Sequence, residues 1–236
     1  NLFSFEAWVK IPPGSNGQIW NTVLGGYTDY NTIIYAGSNL ASGNGSVYIE
    51  FHGLTPYQPI IGITDLRDNQ WHHIAVTYNG INVKVYVDGL LETSENRTGN
   101  INSSSNFTNA LKIGAGNHSS SENFKGNIKD VQIWNTALTQ QDIQNYMSCP
   151  PTGTEAGLVG YWDFEEGSGN TVYDQTPNGN DGIINGATYD ISVPSQSCAG
   201  GLTNTNGCDS TAILNLTINN STSSYLPVTE CDDYTW

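Results

Sequence analysis

The chain has 236 residues with 26 glycines, and charged side chains make up only 12% of it; a coiled coil or helical bundle, which needs Ala, Glu, Lys and Leu in bulk, is excluded. Seven basic against 22 acidic residues give a net charge of −15, which argues against nucleic acid or anionic lipid as a partner. No run of about 18 apolar residues is present, so no membrane insertion is expected.

In chain order, the first strand candidate is Leu2 to Ile11, rich in aromatic and branched residues and stopped by Pro12-Pro13-Gly14. Gln18 to Leu24, Thr32 to Ala36 and Ser46 to His52 follow as strands. The clearest unit is Trp71 to Tyr78, then Asn79-Gly80, then Asn82 to Leu91. An Asn-Gly pair between β-rich runs predicts a hairpin whose two central residues take positive φ. Val83, Val85 and Val87 alternate with Lys84, Tyr86 and Asp88, which gives that strand one aliphatic face. Asp88-Gly89 marks a second turn.

After a polar stretch over Asn96 to Asn109, Leu111 to Gly114 and Asn127 to Trp134 resume the strand pattern. Strict alternation in the latter puts Ile128, Asp130, Gln132 and Trp134 on one face and Val131 and Ile133 on the other. One helix is expected over Gln140 to Met147, with Thr139 as N-cap, Asp142 three residues on, and Ile143 and Met147 facing inward. Gly157 to Phe164 and Gly182 to Tyr189 are again strand-like, and Leu158, Tyr161 and Ile183 need a face to bury against. Beyond residue 198 the composition turns Ser/Thr-rich around one alternating run, Thr211 to Ile218. The expected organisation is therefore one domain over 1–198 and a linker with a partial β repeat over 199–236, too short for its own core.

The cysteines are Cys149, Cys198, Cys208 and Cys231. No C-x-x-C pair occurs, so disulfides in an oxidising compartment are expected rather than zinc. Three pairings are open. Cys149 with Cys198 brackets Pro150 to Ser197 and would add about 4 kcal/mol by loop entropy. Asn1 is not an initiator Met, and the chain reads as a piece of a longer protein.

Trp71-His72-His73-Ile74-Ala75-Val76-Thr77-Tyr78 followed by Val85-Tyr86-Val87-Asp88-Gly89 resembles the central hairpin of laminin-G-like, concanavalin A-like jelly rolls. Gly126 to Thr139 resembles that family's closing strand and short helix, and Phe3 to Val9 an early strand. The matches fall in the family's order across most of residues 2 to 147. Gly157 to Gly169 and Val172 to Gly182 resemble the segment that usually opens such a domain, displaced here behind the helix. Either it packs back as terminal strands (157–190) of the same sandwich, or it opens a second copy. Asn206 to Ile218 with Cys231-Asp232 resembles Cys-containing β repeats of secreted surface proteins from Bacteroidetes-type bacteria. The resemblance implies an all-β jelly-roll sandwich with one short helix, in an extracellular or cell-surface protein alongside further modules.

The family hosts both lectins and glycoside hydrolases, so the fold does not decide function. A retaining hydrolase needs two carboxylates about 5–5.5 Å apart. Asp163-Phe164-Glu165-Glu166 is the nearest feature, and it lacks the family glucanases' third acidic residue. His72 and His73 are adjacent, so a strand turns them to opposite faces and they do not chelate one metal. A non-catalytic module binding a glycan or cell-surface polysaccharide is the expectation. A spacer without a ligand and a glycoside hydrolase are the alternatives. Tyr27, Asp29 and Tyr30 in one loop, and Tyr57 between Pro56 and Pro59, are the candidate sugar platform. Asp174, Asn178, Asn180 and Asp181 form a Gly-bearing loop of short-range oxygens, as Ca²⁺ needs. Asp130 and Asp163 are candidates to complete it, and the resemblance to calcium-binding laminin-G-like and pentraxin-like domains supports this. The competing reading of that loop is an Asx-rich turn bonding its own backbone.

Overall fold

Two glycine-bearing turns set the central meander. β7 (Trp71–Tyr78), β8 (Asn82–Val87) and β9 (Leu90–Asn96) run antiparallel in sequence. The pair of left-handed residues required by the tightest hairpin turn falls at Asp88 and Gly89, with φ of 49° and 71°. At the other turn Gly80 alone is left-handed, at 95°. Asn79 instead uses its side chain: Oδ1 accepts from the N–H groups of Ile81 and Asn82 at 3.1 and 2.8 Å. The expectation of two positive φ values at Asn79-Gly80 is corrected accordingly.

The computed structural model describes residues 2–14, 20–25, 32–38, 44–101, 111–116 and 122–198, with the backbone of 202–203 and 209–210. The chain divides into two units, Asn1–Ser197 and Cys198–Trp236. In the second, Leu202–Thr203 pairs with Asp209–Ser210; the expected strand Thr211 to Ile218 lies outside the described residues.

The other elements of the first unit are β1 (Phe3–Lys10), β2 (Thr22–Gly25), β3 (Thr32–Ala36), β4 (Val47–Phe51), β5 (Leu54–Thr55), β6 (Ile60–Ile61), β10 (Thr98–Gly99), β11 (Lys112–Ile113), β12 (Asn127–Trp134), α1 (Gln140–Ser148), β13 (Leu158–Trp162), β14 (Thr171–Val172) and β15 (Gly182–Ile183). Among the described residues they form a six-stranded sheet, β13-β12-β1-β7-β8-β9, and a five-stranded sheet, β11-β2-β3-β4-β6, with small pairs β5–β10 and β14–β15. All pairings are antiparallel. Phe5, Val9, Ile74 and Val85 of the first sheet join Ile34, Ile49 and Phe51 of the second in one buried core. No helix among the described residues is long and apolar enough to cross a membrane.

The six-stranded sheet is buried on its other face as well. Ala75, Tyr86, Trp134, Leu158 and Tyr161 pack there with Leu138 and Ile143. Ile143 is the buried residue of α1, and the helix starts on the expected capping box, with the Thr139 and Asp142 side chains each bonding the other's backbone. Strict alternation fails in β12. The register slips between Glu6/Trp8 and Gln132/Lys129, and Asp130 takes a φ of 52°. This β-bulge resets the phase of the strand. Ile128 consequently packs with the main core beside Val131 and Ile133, while Trp134 stays on the helix side.

The displaced segment returns to this sheet. β13 pairs with β12, Val131 opposite Trp162 and Gln132 opposite Tyr161. Leu158 and Tyr161 are buried, but Ile183 is 81% exposed, and its neighbour Ile184 packs against the core instead. Of the strand-like run Gly182 to Tyr189, Gly182–Ile183 alone is a strand. Cys149 and Cys198 are both disulfide-bonded. Just before each cysteine, Ser197 N–H donates to the Ser148 carbonyl at 3.0 Å.

Two measurements test this architecture. Trp162 is 7% exposed within the main core, so Trp162→Ala should cost about 3–5 kcal/mol in urea unfolding; an unchanged midpoint would make β13 peripheral. Glu6 is fully buried on the helix side, opposite Ala75 and Gln132, and neither carboxylate oxygen has a hydrogen-bond partner. Burial, and then the charge of Asp142, hold its carboxyl well above the ordinary 4.5. The folded chain thus keeps a proton that the unfolded chain releases. The associated stability is full below the unfolded value and lost as pH rises through the raised one. Buried His73, pushed down to about 4, works in the opposite sense, losing stability as pH falls from its ordinary value. Glu6→Gln should therefore flatten the decline of melting temperature on the alkaline side and leave the acid limb in place; an unaltered alkaline limb would show that Glu6 does not titrate there.

Candidate functional site

The five-stranded sheet carries the candidate site on its outer face. Val47, Ile49 and Phe51 of β4 point into the core. Alternation therefore turns Tyr48 and Glu50 outward, and His52 follows in the turn just after the strand's last residue, Phe51. Tyr48 stands opposite Tyr35, with ring centroids 5.9 Å apart, and Trp20 continues the row at 5.4 Å from Tyr35. Tyr35 and Tyr48 are buried in a small cluster with Ile33, so this row is the floor of the site. Its accessible rim is the corner where β4 ends.

Tyr57 forms that corner. It is 54% exposed on a turn flanked by Pro56 and Pro59, the former after a cis bond to Thr55. Its ring lies 4.5 Å from the His52 ring, and its hydroxyl is 2.7 Å from His52 Nε2. Burial lowers the His52 pKa from 6.5, so the imidazole is neutral near pH 7. Tyr48 donates to Glu50 Oε1 at 3.4 Å, and burial together with the Glu50 charge pushes the Tyr48 hydroxyl up to about 12. Burial raises the Glu50 carboxyl, with the Tyr48 bond working against it. An exposed aromatic face, an imidazole and a half-buried carboxylate thus fall within one stretch of eight residues.

Of the sequence-derived platform, Tyr57 is in this corner. Tyr27, Asp29 and Tyr30 lie outside the described residues. Thr32, the first described residue after them, pairs with Phe51. Glu50 and His52 escaped the sequence reading, although the alternation of Ser46 to His52 already put them together with Tyr48 on the face away from the core.

The acidic loop is organised differently from the calcium expectation. Asp174 Oδ1 accepts from Tyr161 N–H and Thr176 N–H, both at 3.0 Å. Its Oδ2 accepts from Asn180 N–H at 2.9 Å and Asn180 Nδ2 at 2.8 Å. Asn178 and Asn180 both aim their amide nitrogens at the Val159 carbonyl, at 2.9 and 3.2 Å, and Asp181 accepts from Asp174 N–H. Burial opposes ionisation of Asp174, but these backbone donors outweigh it and lower its pKa. The structure brings Asp174, Asn178 and Asn180 together as a hydrogen-bonded knot, with four N–H donors on the Asp174 carboxylate.

Asp130 and Asp163 belong to a separate cluster. Lys129 Nζ donates to Glu165 Oε1 at 2.7 Å and to the Asp163 carbonyl at 3.4 Å, and lies 3.6 Å from Asp130 Oδ1. Tyr161 donates to the same Asp130 oxygen at 3.2 Å. Burial raises the pKa of both aspartates. Asp163 and Glu165, the nearest approach to a hydrolytic pair, are tied instead to structure: Asp163 Oδ1 accepts from Glu165 N–H, and Lys129 holds Glu165. His72 sits between Asp88 and Asp68, at 2.8 and 3.2 Å, while buried His73 packs edge-on to Trp8. Among the described residues no group of three or more His, Cys, Asp or Glu is arranged to hold a metal ion.

A family model described as the concanavalin A-like lectin/glucanases superfamily (Laminin_G_3) matches residues 1–144, more than half of the chain. The chain belongs to this family. Among solved structures, the laminin-G domain is similar to a protein from Bacteroides ovatus provisionally assigned as carbohydrate-binding, at 21% identity and a TM-score of 0.64. The match covers 83% of this chain and 56% of that one. Domain 4 of a GH43 extracellular arabinanase from Geobacillus stearothermophilus, solved with arabinotriose, aligns at 23% identity and a TM-score of 0.48, over 61% and 66% of the two chains. A pentraxin from Limulus polyphemus aligns at 15% identity and 0.46, over 81% and 85%. At these identities the likeness is one of fold. No curated protein sequence matches the chain.

The knot generates a test. Asp174→Ala strands four N–H donors and should lower stability by about 3 kcal/mol, equally with excess calcium and with chelator. A melting temperature that rises with calcium in the parent chain and not in the variant would restore the cation reading.

Proposed function

We propose that this laminin-G domain is a non-catalytic carbohydrate-binding module of an extracellular protein. The observation that carries the reading is the Tyr57 corner. Sugar rings present an apolar face of C–H groups and an edge of hydroxyls, and the corner offers an exposed aromatic face against an imidazole, with the Glu50 carboxylate two residues before that imidazole in the chain. The prolines on either side of Tyr57 limit the ordering cost on binding. The Bacteroides neighbour, itself provisionally assigned to carbohydrate binding, supports the same class. Disulfide-bonded Cys149 and Cys198 suit an oxidising compartment outside the cell, and the partner is a glycan or cell-surface polysaccharide, met alongside other modules of the parent chain. The non-catalytic part of the reading is supported by the engagement of Glu165 with Lys129 and of Asp163 with the Glu165 backbone.

A glycan array followed by calorimetry on the best hit tests the proposal. Tyr57→Ala should weaken binding about tenfold with little change in melting temperature, the loss expected for one central stacking side chain. Retention of full affinity by Tyr57→Ala would move the site elsewhere. Release of reducing ends from the bound polysaccharide would return the domain to the hydrolases.

A further inference from the structure

The charges around the Tyr57 corner narrow the class of glycan, given the carbohydrate-binding reading above on which this step rests. Glu50 is half-buried on the outer face of the sheet, and burial already disfavours its charge. A cation beside it would relieve that cost, yet the residues two places along the chain on either side are Tyr48 and His52, and burial disfavours the charged form of the latter. The register row through Glu50 runs across the sheet as Glu50, Ile33, Gly25 and Lys112. Lys112 is thus three strands away, about 14 Å at the usual strand spacing, beyond the screening length of about 8 Å in physiological salt. Its ammonium points to the Gly116 carbonyl at 3.5 Å.

The remaining cations with described partners are engaged elsewhere: Arg67 with Asp65, Arg97 with Glu95, Lys129 with Glu165 and Lys10 with Ser192. The chain as a whole carries −15. An anionic sugar in the corner would meet Glu50 at short range in a partly desolvated setting, and long-range repulsion on its way in. A neutral sugar would instead donate a hydroxyl to the Glu50 carboxylate, replacing the water lost on docking.

We propose that the site takes uncharged glycans and rejects uronate-bearing and sulfated ones, with Glu50 as the residue that discriminates. The discrimination arises from the repulsive element opposite the wrong ligand as much as from contacts to the right one.

The test uses the full chain in affinity electrophoresis against a panel of polysaccharides, each offered unmodified and after oxidation of its C6 hydroxymethyl groups to carboxylates. The parent chain should bind the oxidised form of its preferred polysaccharide at least about tenfold more weakly than the neutral form, the scale of one like-charge contact. Glu50→Gln should weaken binding of the neutral form somewhat and raise binding of the oxidised form, so that the ratio shrinks severalfold. Raising ionic strength should shrink the ratio in the parent chain too, which tests the charge without relying on the variant. Equal binding of both forms by the parent chain, or a ratio unmoved by both Glu50→Gln and salt, would overturn the proposal while leaving the carbohydrate reading intact. Absence of binding to any polysaccharide in either form would remove the carbohydrate reading and this selectivity with it.

Discussion

β1 is buried on both faces, and most of the architecture answers to that constraint. Phe5, Ala7 and Val9 close the core between the sheets, while Ser4, Glu6 and Trp8 face the other way and are equally enclosed. A sheet hidden on both sides needs a second cover, supplied here by α1 and Leu138 over Ala75, Tyr86 and Trp134. The chain must then return to close the edge next to β12, which β13 does. Ser4 stitches the arrangement together: its hydroxyl donates to the Thr136 carbonyl and accepts from Leu138 N–H. The cost is visible in the same layer, where Glu6, His73, Gln132 and Asp130 each bury a polar atom without a hydrogen-bond partner. Such groups are expensive unless water or protonation relieves them.

With the six-stranded sheet covered twice, the outer side of the five-stranded sheet is the face left without such a cover among the described residues. There a small aromatic cluster serves as a floor rather than as a core, and the polar residues of β4 lie beside it. The division of labour between the sheets is therefore a packing result. One sheet spends its two faces on stability; the other keeps a face whose residues are free to be chosen for chemistry.

Much of this was legible in the sequence because the signals were local. The composition and limits of β3, β7 and β12 and the capping box at Thr139 depend on neighbours in the chain, and the structure reproduces them. Errors arose where a distant partner decided. The bulge at Asp130 is set by pairing with β1, more than a hundred residues away, and no alternation rule anticipates it. Ile183 read as a core residue because it is apolar and branched, but the two-residue pairing of β14 with β15 turns Ile184 inward instead. The acidic loop read equally well as a cation site or as an Asx turn. The N–H groups of Tyr161 and Thr176 that bond its Asp174 come from pairings only the fold supplies. Glu50 and His52 were hidden for the opposite reason: their pattern was plain, but nothing in it separated a half-buried carboxylate bonded to a tyrosine from an ordinary exposed one.

The turn that carries Tyr57 hangs between two anchors. On one side Leu54–Thr55 pairs with Thr98–Gly99; on the other Ile60 enters the core at 1% exposure. Just beyond, the Glu92 carboxylate accepts from Ile63 N–H at 2.8 Å and Thr64 N–H at 3.1 Å. The path of the chain is thus held from outside the turn, as well as by the contact of Tyr57 with His52 within it. Gln58, exposed at the tip between these anchors, is therefore a position where substitution is cheap in folding terms, so the surface of the turn can change without compensating changes in the core.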